Sequence, residues 1–189
     1  MSTPSTSYAV KTDTLKNVRR LSTLLYWGCA VAIVLQFLAI PMVWYLPGWV
    51  EASTSQMTVS LAELHALSGW QKYATMLVMM IPSLFMAYGL LHLRKMFGAF
   101  AHNAIFQPET IRHLKLFGVA LLLQTLAKPL TGAVTSVLAT FHRPAGERML
   151  SIGLGNAEAS TLFLGALIIV IAWVLGEAAR IDDENRSFV

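Results

Sequence analysis

Four stretches of this chain carry almost no charge, and their lengths decide what it can fold into. Leu21 to Val50 runs 30 residues without Asp, Glu, Lys, Arg or His. Tyr73 to Leu91 runs 19 in the same way, and Ala159 to Gly176 runs 18. Leu116 to Phe141 runs 26 and is broken only by Lys128. About 20 apolar residues cross a bilayer core as a helix. Lipid offers no partner to backbone N–H and C=O groups, so each stretch must satisfy its own by coiling. The expected fold is all-α: an integral membrane four-helix bundle with helices near 21–46, 73–93, 115–140 and 160–178. Composition agrees, because only 13% of residues are charged where a soluble domain carries about a quarter.

The first stretch is not expected to be a cleaved leader. It exceeds the signal core of roughly 7–15 residues, and no small-x-small site closes it. The single cysteine, Cys29, lies inside it. No internal disulfide is therefore possible, and a buried packing role is expected.

Orientation follows from Lys and Arg, which concentrate on the cytoplasmic side of membrane proteins. The N-terminal segment holds Lys11, Lys16, Arg19 and Arg20, and the 92–115 loop holds Arg94, Lys95, Arg112 and Lys115. Arg180 and Arg186 follow the last span, while the other two loops hold Lys72, Arg143 and Arg148. With Lys128 set aside the balance is ten against three. Both termini and the middle loop are therefore expected in the cytoplasm, with 1–20 a disordered tail and 179–189 a C-terminal tail. No basic stripe interleaves with aromatics, so no direct nucleic-acid contact is expected.

The first outer loop, 47–72, carries a helix start signal, since Ser60 and Glu63 have capping-box spacing. Leu61, Leu64 and Leu67 follow on one face and Gly69 is a stop. A short surface helix is expected there, flanked by Trp49, Trp70 and Tyr73 in the aromatic belt. The second outer loop, 142–159, with Gly146, Gly153 and Gly155, is expected to be irregular. Its Gly-Leu-Gly lacks the strand and helix that a nucleotide loop requires. In the middle loop, Leu93, Met96, Phe97 and Phe100 share a face and carry helix 2 past the membrane. Asn103 and Ala104 break it. Pro108 suits the first position of helix 3 and Glu109 suits its positive end. A helix over 108–141 measures about 51 Å at 1.5 Å per residue, so about two turns project beyond the bilayer.

Lys128 is the outstanding functional candidate, because a charge at bilayer depth is costly. Gln124, Lys128, Thr131 and Thr135 follow spacings of four, three and four, and form one polar stripe. Lipid would not tolerate that stripe, which is expected to face the bundle interior or a wet cavity. Pro129 and Pro82 each remove a helix hydrogen bond, so two kinked helices could enclose one pocket, with Gln36, Ser83 and Tyr88 as neighbours. No Asp or Glu lies within a span. Lys128 must find carbonyls, water, a lipid phosphate, or an outer-loop acid: Glu51, Glu63 or Glu158. Three roles stay open: snorkelling to a headgroup, a structural polar network, or a sensing site. Transport is disfavoured by the lack of repeats and of paired intramembrane charges.

Other chemistry is poorly supplied. His92, His102 and His113 stand ten and eleven apart, whereas zinc ligands pair two to five residues apart, so no metal or cofactor is expected. Ser, His and Asp occur without a nucleophile elbow. Gly165, Ala172, Gly176 and Ala179 give helix 4 a small-residue face, which packs within the bundle or between protomers of a homo-oligomer. Asp182, Asp183 and Glu184 form either a solvated face or a docking site for a basic partner.

The stretch Leu93-Arg94-Lys95-Met96-Phe97 is followed by Asn103-Ala104-Ile105-Phe106 and by Ile111-Arg112-His113-Leu114-Lys115-Leu116-Phe117-Gly118. The chain ends Ala178-Ala179-Arg180-Ile181-Asp182-Asp183-Glu184-Asn185-Arg186-Ser187-Phe188-Val189. In these segments the chain resembles a bacterial membrane family catalogued as domain of unknown function 2975. The resemblance covers helices 2 to 4 and the C-terminus. It implies four helices in the bacterial inner membrane and frequent association with a small cytoplasmic helix-turn-helix regulator. It supplies no catalytic residues.

The expected function is accordingly regulatory and non-enzymatic, with Arg94, Lys95, Arg112, Arg180, Asp182, Asp183, Glu184 and Asn185 as the partner surface. On that reading the Lys128 stripe is the input. The alternative is a small-molecule or lipid-handling protein centred on the stripe.

Overall fold

The computed structural model describes residues 5–45, 67–102, 107–141, 150, 152–153 and 155–187. Among them four helices follow in order: α1 (Ser5–Tyr45), α2 (Gly69–Ala101), α3 (Pro108–Thr140) and α4 (Asn156–Ser187). No strand occurs among the described residues. The all-α bundle stands as expected, and α3 ends one residue short of its expected limit.

The helices are longer than the apolar stretches. α1 starts at Ser5, so most of the segment expected as a disordered tail is helical. Ser5 to Arg20 contains neither Gly nor Pro after Pro4, and adding turns to an existing helix avoids the cost of nucleation. α4 likewise continues to Ser187. Arg180 pairs with Glu177 and Glu184 at i,i+3 and i,i+4 spacing along its exposed side, and such pairs favour the continuation of a solvated helix end. The outer loop expected to be irregular through 159 already turns helical at Asn156. The short helix expected after Ser60 and the position of Trp49 lie outside the described residues. Gly69, expected as a stop, is the first residue of α2.

Packing follows chain order: α1 lies on α2, α2 on α3 and α3 on α4. Contacts run antiparallel throughout. Gln36 meets Ser83 while Tyr26 meets Arg94; Gln71 meets Leu138 while His92 meets His113. On the last seam Lys128 meets Glu158, and Ile111 meets Gly176. The seams are lined by small residues. A Cβ on Gly118 would come within 3.0 Å of the Gly165 carbonyl and 2.8 Å of Ile169. A Cβ on Gly165 would come within 2.9 Å of Leu122. Small residues bring helix backbones close where water supplies no apolar driving force. The small-residue face of α4 is thus used on α3, with Ala172 buried as well.

The outward surface is apolar. Leu24, Val31, Leu35 and Leu38 on α1 are exposed, as are Phe163, Leu167, Val170 and Val174 on α4. Patches of this extent on a water-soluble protein would drive association; against lipid they are the stable surface.

Candidate functional site

At the end where α2 and α4 begin, two side chains do the same job in the same way. Ser68 is the N-cap of α2, with extended backbone, and its N–H donates to Gln71 Oε1 at 3.0 Å. Gly155 precedes α4, and its N–H donates to Glu158 Oε2 at 3.0 Å. In both, the third helical residue reaches back to an N–H that has no partner in the first turn, which is half of a capping box. The remaining atom of each then crosses to α3. Gln71 Nε2 donates to the Leu138 carbonyl at 3.1 Å, and Lys128 Nζ donates to Glu158 Oε1 at 3.3 Å. Each side chain ties a helix start to its neighbour.

Lys128 therefore has an acid partner, the one among Glu51, Glu63 and Glu158 that stands at the head of α4. The Lys128 side chain keeps 43% of its surface exposed and Glu158 keeps 14%, so the lysine is not enclosed in a pocket. The rest of the stripe grades inward. Thr131 Oγ1 donates to the Lys128 carbonyl at 2.9 Å, while Thr135 is buried. Gln124 Oε1 and Thr135 Oγ1 are buried without a hydrogen-bond partner. The neighbours expected from sequence go elsewhere: Gln36 Nε2 donates to the Ser83 carbonyl at 3.2 Å, and Tyr88 packs edge-on against His92. Pro82 and Pro129 lie inside α2 and α3, both of which continue as helix.

The fully buried polar side chains of the α3 core are others, Thr125 and Ser136. Each returns its hydroxyl to its own helix, to the Leu121 and Ala133 carbonyls, as Ser and Thr do when buried in a helix. Sequence reasoning passed over them because single Thr and Ser residues do not mark a face.

At the other end, where α2 and α3 are joined, His92 Nδ1 and His113 Nδ1 lie 2.9 Å apart, with their rings tilted by 31°. These residues are 21 apart in the chain, and only the α2–α3 register unites them. Arg94 stacks over Tyr26 at 4.3 Å and donates to its hydroxyl at 2.8 Å. Lys115 lies over Trp173 at 5.7 Å. Among the expected partner-surface residues, then, Arg94 is spent on α1 and Arg180 on its own helix. Lys95, Arg112, Asp182, Asp183, Glu184 and Asn185 are exposed. Among the described residues no three His, Cys, Asp or Glu side chains converge.

Four of the described helices are long and apolar enough to cross a membrane: segments Asn17–Met42, Gly69–Ala101, Pro108–Leu138 and Asn156–Asn185. Together with the apolar outer surface, they define the class as a multi-pass helical membrane protein. More particularly, the chain belongs to the family described as "Protein of unknown function (DUF2975)", whose model matches residues 56–187. That match takes in α2, α3 and α4, and leaves out α1. No curated protein and no solved structure matches the chain.

Proposed function

We propose that the chain is a regulatory protein of the bacterial inner membrane, without catalysis of its own, that holds a small cytoplasmic helix-turn-helix regulator. One observation carries this: α1 and α4 both overrun the end where α2 and α3 join, and on the same side. Tyr26 lies beside Arg94 and Gly98, so the residues of α1 before Leu21 extend past Ala101. At 1.5 Å per residue, Ser5 to Arg20 projects about 24 Å. Gly176 lies beside Ile111, so the last two turns of α4 project past Pro108. The first projection bears Lys11, Lys16, Arg19 and Arg20 against Asp13, and the second bears Asp182, Asp183 and Glu184 against Arg180 and Arg186, so their net charges have opposite sign. Two helix ends of opposite charge offer a folded partner a specific surface. The ten-to-three balance of Lys and Arg supports reading this side as the cytoplasmic one.

Affinity capture from membranes, with and without residues 177–189, tests the proposal. The full chain should retain a cytoplasmic DNA-binding protein that the shortened chain releases. Equal recovery from both, or none from either, removes the proposed role.

The buried, unbonded Gln124 Oε1 and Thr135 Oγ1 favour a second reading, a small-molecule or lipid site along the Lys128 stripe. Under it Lys128→Met abolishes a phenotype that truncation of the tail leaves intact.

A further inference from the structure

We propose that the His92–His113 pair, with Lys95 and Arg112, forms a proton-linked site for the phosphodiester headgroup of an anionic phospholipid. The pair sits on the α2–α3 seam, one turn beyond Tyr88 and directly after Leu91, both apolar and exposed, toward the end where the two helices join. Basic pockets between transmembrane helices recognise acidic headgroups. Lys95 follows His92 by three residues on α2, and Arg112 adjoins His113 on α3. Both are exposed, and neither has a carboxylate partner among the described residues.

The ring geometry supplies the proton linkage. A hydrogen bond between two Nδ1 atoms requires one ring to donate and the other to accept. The donor ring then has a bare Nε2, which can take a proton from solvent while Nδ1–H still donates. The pair therefore carries a charge of zero or +1 with its hydrogen bond intact and loses that bond only at +2. A bound phosphodiester carries the charge that attracts the first proton to the pair. Anion binding and proton uptake must favour each other equally.

The other groups facing the pair are accounted for. Tyr88 on α2 packs edge-on against His92. Glu109 on α3, one turn before His113, acts on it in the opposite sense to Lys95 and Arg112. From α1, Tyr26 is engaged by Arg94; from α4, Glu177 and Arg180 pair with each other. Two fixed cations and one titratable one outweigh a single carboxylate.

The test titrates the purified full chain in neutral detergent with phosphatidylglycerol, phosphatidylcholine or inorganic phosphate, reading bound lipid by native mass spectrometry. Phosphatidylglycerol suits the purpose because its phosphodiester stays singly charged across the histidine range. It should bind in preference to phosphatidylcholine, and about threefold tighter at about pH 5.5 than at about pH 7.5, as one added exposed charge supplies. Lys95→Gln with Arg112→Gln, on exposed positions that spare the fold, should weaken it about tenfold or more at both pH values. His92→Gln together with His113→Gln should keep binding at the higher pH and lose the pH dependence. Equal binding of the two lipids, or equal binding by wild type and the Lys95/Arg112 variant, overturns the site. Affinity independent of pH in the wild type overturns the proton linkage. Inorganic phosphate that displaces the lipid at comparable concentration overturns its assignment to a lipid.

Discussion

Lys128 shows how partial exposure sets the worth of a charge. Its partner Glu158 is largely covered, but the lysine keeps 43% of its surface. Solvent-exposed pairs contribute about 0.2–1 kcal/mol, whereas breaking a buried pair costs about 3–5 kcal/mol. A double-mutant cycle with Lys128→Met and Glu158→Gln, read by thermal unfolding in detergent, should give a coupling of about 1 kcal/mol or less. A coupling of several kcal/mol would place the pair inside hydrocarbon. Glu158 has a second duty that the cycle leaves intact, because a glutamine can still accept from Gly155 N–H. Glu158→Ala loses that bond as well, and should fall below Glu158→Gln by about 1 kcal/mol, the usual worth of a cap. Lys128 was legible in the sequence as the one charge inside an apolar stretch. Its partner was not, because the choice among three acids depends on where α4 begins.

Among the elements, the α3–α4 seam depends most on the absence of side chains. Gly118→Leu or Gly165→Leu must push the helices apart, since even a Cβ meets backbone or a neighbour near 3 Å. Overpacking of this kind costs about 1–3 kcal/mol, and should lower the unfolding temperature in detergent. Gly132→Leu, where a Cβ meets nothing within 4 Å, should be nearly neutral and serves as the control. The small-residue face of α4 was visible in its spacing, yet spacing could not say whether it packs on a neighbour or on a second copy. Ser68-x-x-Gln71 has the same spacing as Ser60-x-x-Glu63, and spacing alone does not say which of the two opens a helix. Gln71→Ala removes both the cap bond and the bond to Leu138, so it should cost more than Ser68→Ala, which removes only the hydroxyl contact to Gln71. The same unfolding measurement separates them.

For the molecule as a whole, the packing among the described residues is serial, with α1 resting chiefly on α2. In a Cys29→Ala background, cysteines replacing Tyr26 and Gly98 should cross-link within one chain, as a Cβ on Gly98 lies 3.6 Å from the Tyr26 ring. Cysteines replacing Trp27 and Trp173, both exposed, should not cross-link within one chain. An intrachain product there would mean that α1 closes onto α4. Orientation has its own check. A reporter active only in the periplasm, fused after Val189, should be silent, and a strong signal would reverse the assignment of sides and remove the cytoplasmic docking surface.

Length and apolarity by themselves determined that this chain makes four membrane-crossing helices. A bilayer leaves unsatisfied backbone groups no alternative, and that constraint acts locally on each stretch. The sequence also determined the start of α3, because proline after an extended residue suits only the first turn. What the tertiary structure decided is everything that depends on register between helices. It chose Glu158 for Lys128, brought His92 to His113 across 21 residues, and spent Arg94 on Tyr26 instead of on a partner. Register is set where small residues let two backbones touch, as at Gly118 and Gly165. That choice is made jointly by two segments, and neither carries it alone.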